Sequence, residues 1–148
     1  MRPSKRLLLA RQRVLLARQR VNAFVAALRA IPRGRYVVIL AGLFSLVVLR
    51  SLVGAHNLGT WILENIPVAL GIIILWSSYR VMPLSRISYT LIFLFLCLHE
   101  VGAHWTYAKV PYDDWWRTLT DVTLNSQLNF WRNHFDRLAH FLYGLLMA

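Results

Sequence analysis

Ser88-Tyr-Thr-Leu-Ile-Phe-Leu-Phe-Leu-Cys-Leu-His-Glu-Val-Gly-Ala-His-Trp-Thr-Tyr107 decides the fold class. It opens on an uncharged, strongly apolar run, 88–97, and closes on His99, Glu100 and His104. A helix needs about 20 mostly apolar residues to cross a bilayer, and this stretch has that length. Its apolar residues are continuous, whereas the strands of a membrane barrel alternate. The stretch therefore reads as a transmembrane helix with ionisable groups at one end.

Similar runs lie on either side, at about residues 36–53, 61–79 and from 135 onward. Pro67 falls in the first turns of the second run, where a missing amide hydrogen bond costs least. The chain has 148 residues, 57% of them hydrophobic, and a mean hydropathy of +0.48. A soluble domain of this size would spread its charges more evenly. The expected fold is all-α: a polytopic transmembrane bundle with about four spans visible, preceded by a basic amphipathic helix. Residues 1–35 form the basic N-terminal segment and 36–148 the transmembrane domain. The last run, 135–148, is too short for a full crossing, so the chain is expected to continue or the helix to stop part way.

The formal net charge is +11, and ten of the seventeen Lys and Arg residues precede residue 36. Charge placed beside apolar spans points to a membrane surface, and nucleic acid is not an expected partner. Residues 7–21 repeat a heptad, Leu-Leu-Leu-Ala-Arg-Gln-Arg then Val-Leu-Leu-Ala-Arg-Gln-Arg. Period seven returns each residue to nearly the same helix face. Leu7, Leu8, Val14, Leu15 and Val21 are expected on one side and Arg11, Arg13, Arg18 and Arg20 on the other, as in a helix lying among headgroups. Pro32 and Gly34 end the segment. The single cysteine, Cys97, forms no internal disulfide.

Charge bias sets the expected orientation. The basic N-terminus and the Arg80–Arg86 loop fall on the cytoplasmic side after two crossings. The turn at 54–60 and the acid-containing 109–133 connection fall outside, with Trp115, Trp116 and Trp131 as an interfacial belt. His56 is expected in solvent, and Arg50 is expected to reach the interface with its long side chain.

This topology sets two polar clusters at one depth. His99, Glu100 and His104 end the third span, and His134, Asp136 and His140 begin the fourth. Glu100 and His104 are four residues apart and share a face, as do Asp136 and His140. Two such pairs on adjacent helices would make a four-ligand oxygen and nitrogen cage suited to zinc, iron or manganese. His99 or His134 would then act as the proton shuttle for a metal-activated water. His-Glu-x-x-x-His is not the zincin motif, because its two histidines do not share a face. The alternative is a network that locks the helices or binds a polar headgroup without metal. Gly102 and Ala103 would admit a close neighbouring helix.

The stretches Leu98-His-Glu-Val-Gly-Ala-His-Trp-Thr-Tyr-Ala-Lys-Val-Pro111 and Arg132-Asn-His-Phe-Asp-Arg-Leu-Ala-His-Phe-Leu-Tyr-Gly-Leu-Leu146 resemble the YjdF-like family of bacterial inner-membrane proteins. The hydropathy pattern from residue 36 onward is also similar. Asp136-Arg-Leu-Ala-His-Phe141 is similar to the Asp-Lys-x-x-His-Phe pattern of VanZ-like membrane proteins, which are linked to glycopeptide-antibiotic tolerance. The resemblance implies a multi-span inner-membrane protein, without an established activity, whose chain runs past residue 148. The basic heptad segment is not an expected family feature.

Two functions from different classes follow. One is a metal-dependent hydrolase of lipid or envelope substrates, with Glu100, His104, Asp136 and His140 as ligands. The other is a non-enzymatic membrane protein, transporter-like or a VanZ-like envelope factor, in which those residues lock helices or hold a headgroup. Membrane lipids are the expected partners in both, and association of two copies is left open.

Overall fold

A computed structural model of the chain describes residues 5–147; residues 1–4 and 148 lie outside the described ones. Every element among the described residues is helical: α1 Lys5–Ala30, α2 Arg33–Leu52, α3 Leu58–Ser78, α4 Arg86–His104, α5 Tyr112–Thr120, α6 Leu124–Gln127 and α7 Phe135–Met147. The chain divides into two units, residues 1–37 and 38–148.

The first unit carries α1, a continuous helix of 26 residues. Its expected amphipathic character is not present, because its apolar residues do not gather into one stripe. The reason is geometric. Residues four apart share a helix face, so Arg11 sits beside Leu15, Val14 beside Arg18 and Leu16 beside Arg20. The heptad repeat preserves this mixing instead of sorting it. The side chains of Leu7 and Leu8 lie outside the described ones.

α2, which begins in the first unit and continues into the second, and α3 and α4 of the second unit are long and apolar enough to cross a membrane. Their starts are set by local chemistry. The Pro32 carbonyl accepts the first helical bond of α2, from Tyr36 N at 3.0 Å. Asn57 caps α3 by accepting from Thr60 N at 2.9 Å. Ser85 caps α4 by accepting from Ser88 N at 3.0 Å, which starts the helix ahead of the apolar run. At the end of α2 the Arg50 guanidinium donates to the Val53 carbonyl, and Gly54, at φ +76°, reverses the chain.

α4 is the centre of the unit, packed against α3 and α7. Tyr89, Ala103, Val110, Phe135 and Ala139 are buried around it. Most other large apolar side chains point outward, among them Leu46, Leu63, Ile73, Trp76 and Ile87. Helices whose backbone is internally bonded and whose apolar side chains face out are what a lipid solvent selects. This is an all-α membrane bundle. The 109–133 connection is itself folded into α5 and α6. Tyr112 donates to Asn125 Oδ1 at 2.7 Å and accepts from His134 N at 3.1 Å. Asn133 Nδ2 donates to the Val110 carbonyl at 2.8 Å, pinning the start of α7 to the end of α4.

Candidate functional site

A knot of hydrogen bonds gathers the end of α2, the start of α3 and the end of α4. Ser51 Oγ donates to the Glu100 carbonyl at 3.1 Å and accepts from Trp61 Nε1 at 2.8 Å. His104 Nδ1 donates to the Ser51 carbonyl at 2.7 Å, and His56 N donates to the His104 carbonyl at 2.8 Å. Lys109 Nζ donates to His56 Nε2 at 2.7 Å. The Glu100 side chain is 1% exposed, and neither carboxyl oxygen has a hydrogen-bond partner among the described residues.

α4 then ends in a Schellman turn, with Thr106 N bonded to the Ala103 carbonyl and Tyr107 N to the Gly102 carbonyl at 2.7 Å. Thr106 and Tyr107 both take left-handed backbone, at φ 55° and 53°. That conformation costs a residue other than glycine about 1–2 kcal/mol. Its product is the position of one ring: Tyr107 folds back over Gly102, where an added Cβ would lie 2.5 Å from Cε1. The Tyr107 hydroxyl meets His99 Nδ1 at 2.6 Å. His99 Nε2 meets the Glu64 carbonyl at 3.1 Å. A carbonyl only accepts, so Nε2 carries the proton and Nδ1 of the neutral ring accepts from the tyrosine. Burial pushes the Tyr107 phenol above its usual range, with the carboxylates of Glu64 and Glu100 adding to the effect.

His99 and Tyr107 form part of one wall of a cleft of about 800 Å³ between α3, α4 and α7. Glu64, Asp136 and His140 complete its polar end. Thr106 and Tyr143 add a hydroxyl each, and apolar residues that include Gly71, Ile72, Leu75, Ile92, Phe95 and Leu96 line the rest. Polarity thus changes along the helix axis. Glu64 and Leu75 are separated by about 16 Å at 1.5 Å per residue. Among the described residues the lining holds two carboxylates and no lysine or arginine. His140 Nδ1 donates to the Asp136 carbonyl at 2.7 Å, which leaves Nε2 as an acceptor in the neutral ring.

The sequence-expected residues are therefore split. His99, Asp136 and His140 share the cleft. Glu100 and His104 share a face, as their spacing requires, but His104 is tied to the end of α2 and neither residue lines the cleft. His134 stacks on Phe130, with ring centroids 4.3 Å apart, and does not line the cleft. Among the described residues no group of three or more His, Cys, Asp or Glu side chains is placed to hold a metal ion. Glu100, His104, Asp136 and His140 do not converge as a ligand set here. Glu64 and Tyr107 also line the cleft and were not singled out from the sequence. The signal for Tyr107 was Gly102, five residues earlier, which leaves room for its ring.

The profile of a family described as "Predicted membrane protein (DUF2238)" matches residues 36–148. The chain belongs to the DUF2238 family. Inner membrane protein YjdF of Escherichia coli (strain K12) is 35% identical over 104 residues, 70% of this chain and 46% of that relative. The expected YjdF-like resemblance is borne out, and the chain spans about half the length of that relative. No solved structure matches. The DUF2238 region begins within α2 and takes in every residue of the cleft and of the knot, while α1 precedes it.

Proposed function

We propose that this DUF2238 protein is a multi-pass inner-membrane protein whose cleft holds the polar head and upper chain of one membrane lipid. The observation that carries the reading is the polarity gradient: Glu64, His99, Tyr107, Asp136 and His140 at one end, and an apolar trough from Gly71 to Leu96 beyond them. A lipid lying along a helix presents the same gradient, and a site of about 800 Å³ is within the range of small-molecule sites. The Escherichia coli relative, an inner membrane protein by name, supports the inner membrane. The basic N-terminus and the Arg80–Arg86 loop support a cytoplasmic N-terminus, with the polar end of the cleft in the outer half of the bilayer. The knot around Ser51, Glu100 and His104 ties α2 to α3 and α4, which is the helix-locking role that the non-enzymatic reading gives Glu100 and His104.

Gly71→Trp tests this directly, because Gly71 lines the cleft and a side chain there meets open space. Gly42→Trp, on α2 and equally open, is the control. Protein released from mild detergent into a mass spectrometer is expected to retain one lipid in the wild type and in Gly42→Trp, and none in Gly71→Trp. Equal occupancy in all three proteins would overturn the proposal.

A further inference from the structure

We propose that the head held in the cleft ends in a primary ammonium group, an inference that rests on the lipid-binding reading above. It follows from counting donors and acceptors at the polar end. His99 Nε2–H is engaged by the Glu64 carbonyl at 3.1 Å. The Tyr107 hydroxyl is engaged by His99 Nδ1 at 2.6 Å. His140 Nδ1–H is engaged by the Asp136 carbonyl at 2.7 Å. Among the described residues the carboxylates of Glu64 and Asp136 and Nε2 of the neutral His140 ring remain as acceptors, beside the hydroxyls of Thr106 and Tyr143, which can donate or accept. Among the described residues neither carboxylate has an ion-pair partner, the one salt bridge being Arg117 with Asp114. No lysine or arginine among the described residues lines the cleft.

Such a set is complementary to a compact cation that carries several N–H donors. An ammonium has three donors and a positive charge. A quaternary amine of the same charge has no donor, and a glycerol head has hydroxyl donors without the charge. The order of preference for phospholipids of identical acyl chains is therefore ethanolamine head first, choline next and glycerol last. A hydrogen bond to a charged group corresponds to about tenfold in affinity.

The test is titration of the delipidated full chain with dioleoyl phospholipids bearing ethanolamine, choline or glycerol heads, with bound lipid counted by native mass spectrometry. The expected result is about tenfold tighter binding of the ethanolamine lipid than of the glycerol lipid. Glu64→Gln with Asp136→Asn is expected to remove that preference while lipid still binds through the apolar trough. Asp136→Asn alone, a milder change, is expected to reduce it part way, so a misfolded double variant leaves the prediction exposed. Wild-type protein that binds all three lipids equally, or the glycerol lipid best, overturns the ammonium assignment and leaves the lipid site standing. Wild-type protein that binds none of them, or a Gly71→Trp variant that binds them as well as wild type, overturns the lipid site and the ammonium assignment with it.

Discussion

Replacing Gly102 by alanine tests whether the cleft wall is built as described. The new Cβ would lie 2.5, 2.6 and 2.8 Å from three carbons of the Tyr107 ring. Restoring ordinary contact moves the ring by roughly 1 Å, a typical overpacking cost of about 1–3 kcal/mol. The ring cannot swing away freely, because Tyr107 N is held by the Gly102 carbonyl itself. The displacement also breaks the 2.6 Å bond to His99, a loss of about 1 kcal/mol. Alanine returns some helix propensity, and Gly42→Ala, where nothing lies within 4 Å, carries the same propensity gain without the clash. Compared by thermal or denaturant unfolding in one detergent, Gly102→Ala is expected to be less stable than Gly42→Ala by about 2–4 kcal/mol. Tyr107→Phe should then cost nothing further in the Gly102→Ala background. Two alanine variants within about 0.5 kcal/mol of each other would refute the packing argument.

Tyr107→Phe in the wild-type background should cost about 0.5–1.5 kcal/mol near neutral pH. The phenol is pushed above its usual range in the folded protein, so its contribution is fully present below the ordinary tyrosine value and is lost as pH rises beyond it. Wild type should therefore lose stability more steeply than Tyr107→Phe above about pH 10, and parallel curves would contradict the burial described. Ser51→Ala leaves Trp61 Nε1 without its acceptor in a part-buried site and should lower stability by about 1–3 kcal/mol, read from the melting temperature. Glu100→Gln replaces a buried carboxyl that has no partner among the described residues by a neutral group of the same shape, so the melting temperature should hold or rise. A fall of several degrees would show that the carboxyl is satisfied in the membrane.

The spans were legible because the bilayer writes a strong signal into the sequence: apolar runs of fixed length, broken by short polar turns. The expected spans at 36–53, 61–79 and 88–107 correspond to α2, α3 and α4. Their starts lie two or three residues earlier because Pro32, Asn57 and Ser85 supply the first carbonyl or cap. α5 and α6 were not anticipated, since a short helix in a polar connection carries too few turns to show a period. The sorting of α1 failed for a definite reason: a seven-residue repeat keeps whatever faces it starts with, and this one starts with arginine four residues after leucine. At the site, the four-residue spacing put Glu100 with His104 on one face. α7 packs on α4, and His99, rather than the Glu100–His104 face, joins Asp136 and His140 at the cleft between them. Which face meets a neighbour depends on packing and is not written in the periodicity. Tyr107 was hidden because its position needs two left-handed residues, and neither Thr106 nor Tyr107 announces that conformation as glycine or asparagine would.

Glu64 and Asp136 each serve the bundle through the peptide backbone and the cleft through the side chain. Glu64 anchors His99 by its carbonyl, and Asp136 anchors His140 by its carbonyl. Any residue except one that distorts the helix offers the same carbonyl. The framework is therefore indifferent to what stands at positions 64 and 136, and the chemistry facing the ligand can be rewritten there without dismantling the histidines. Ligand preference is thereby separable from folding, and those two positions are where a cleft of altered selectivity would be engineered first.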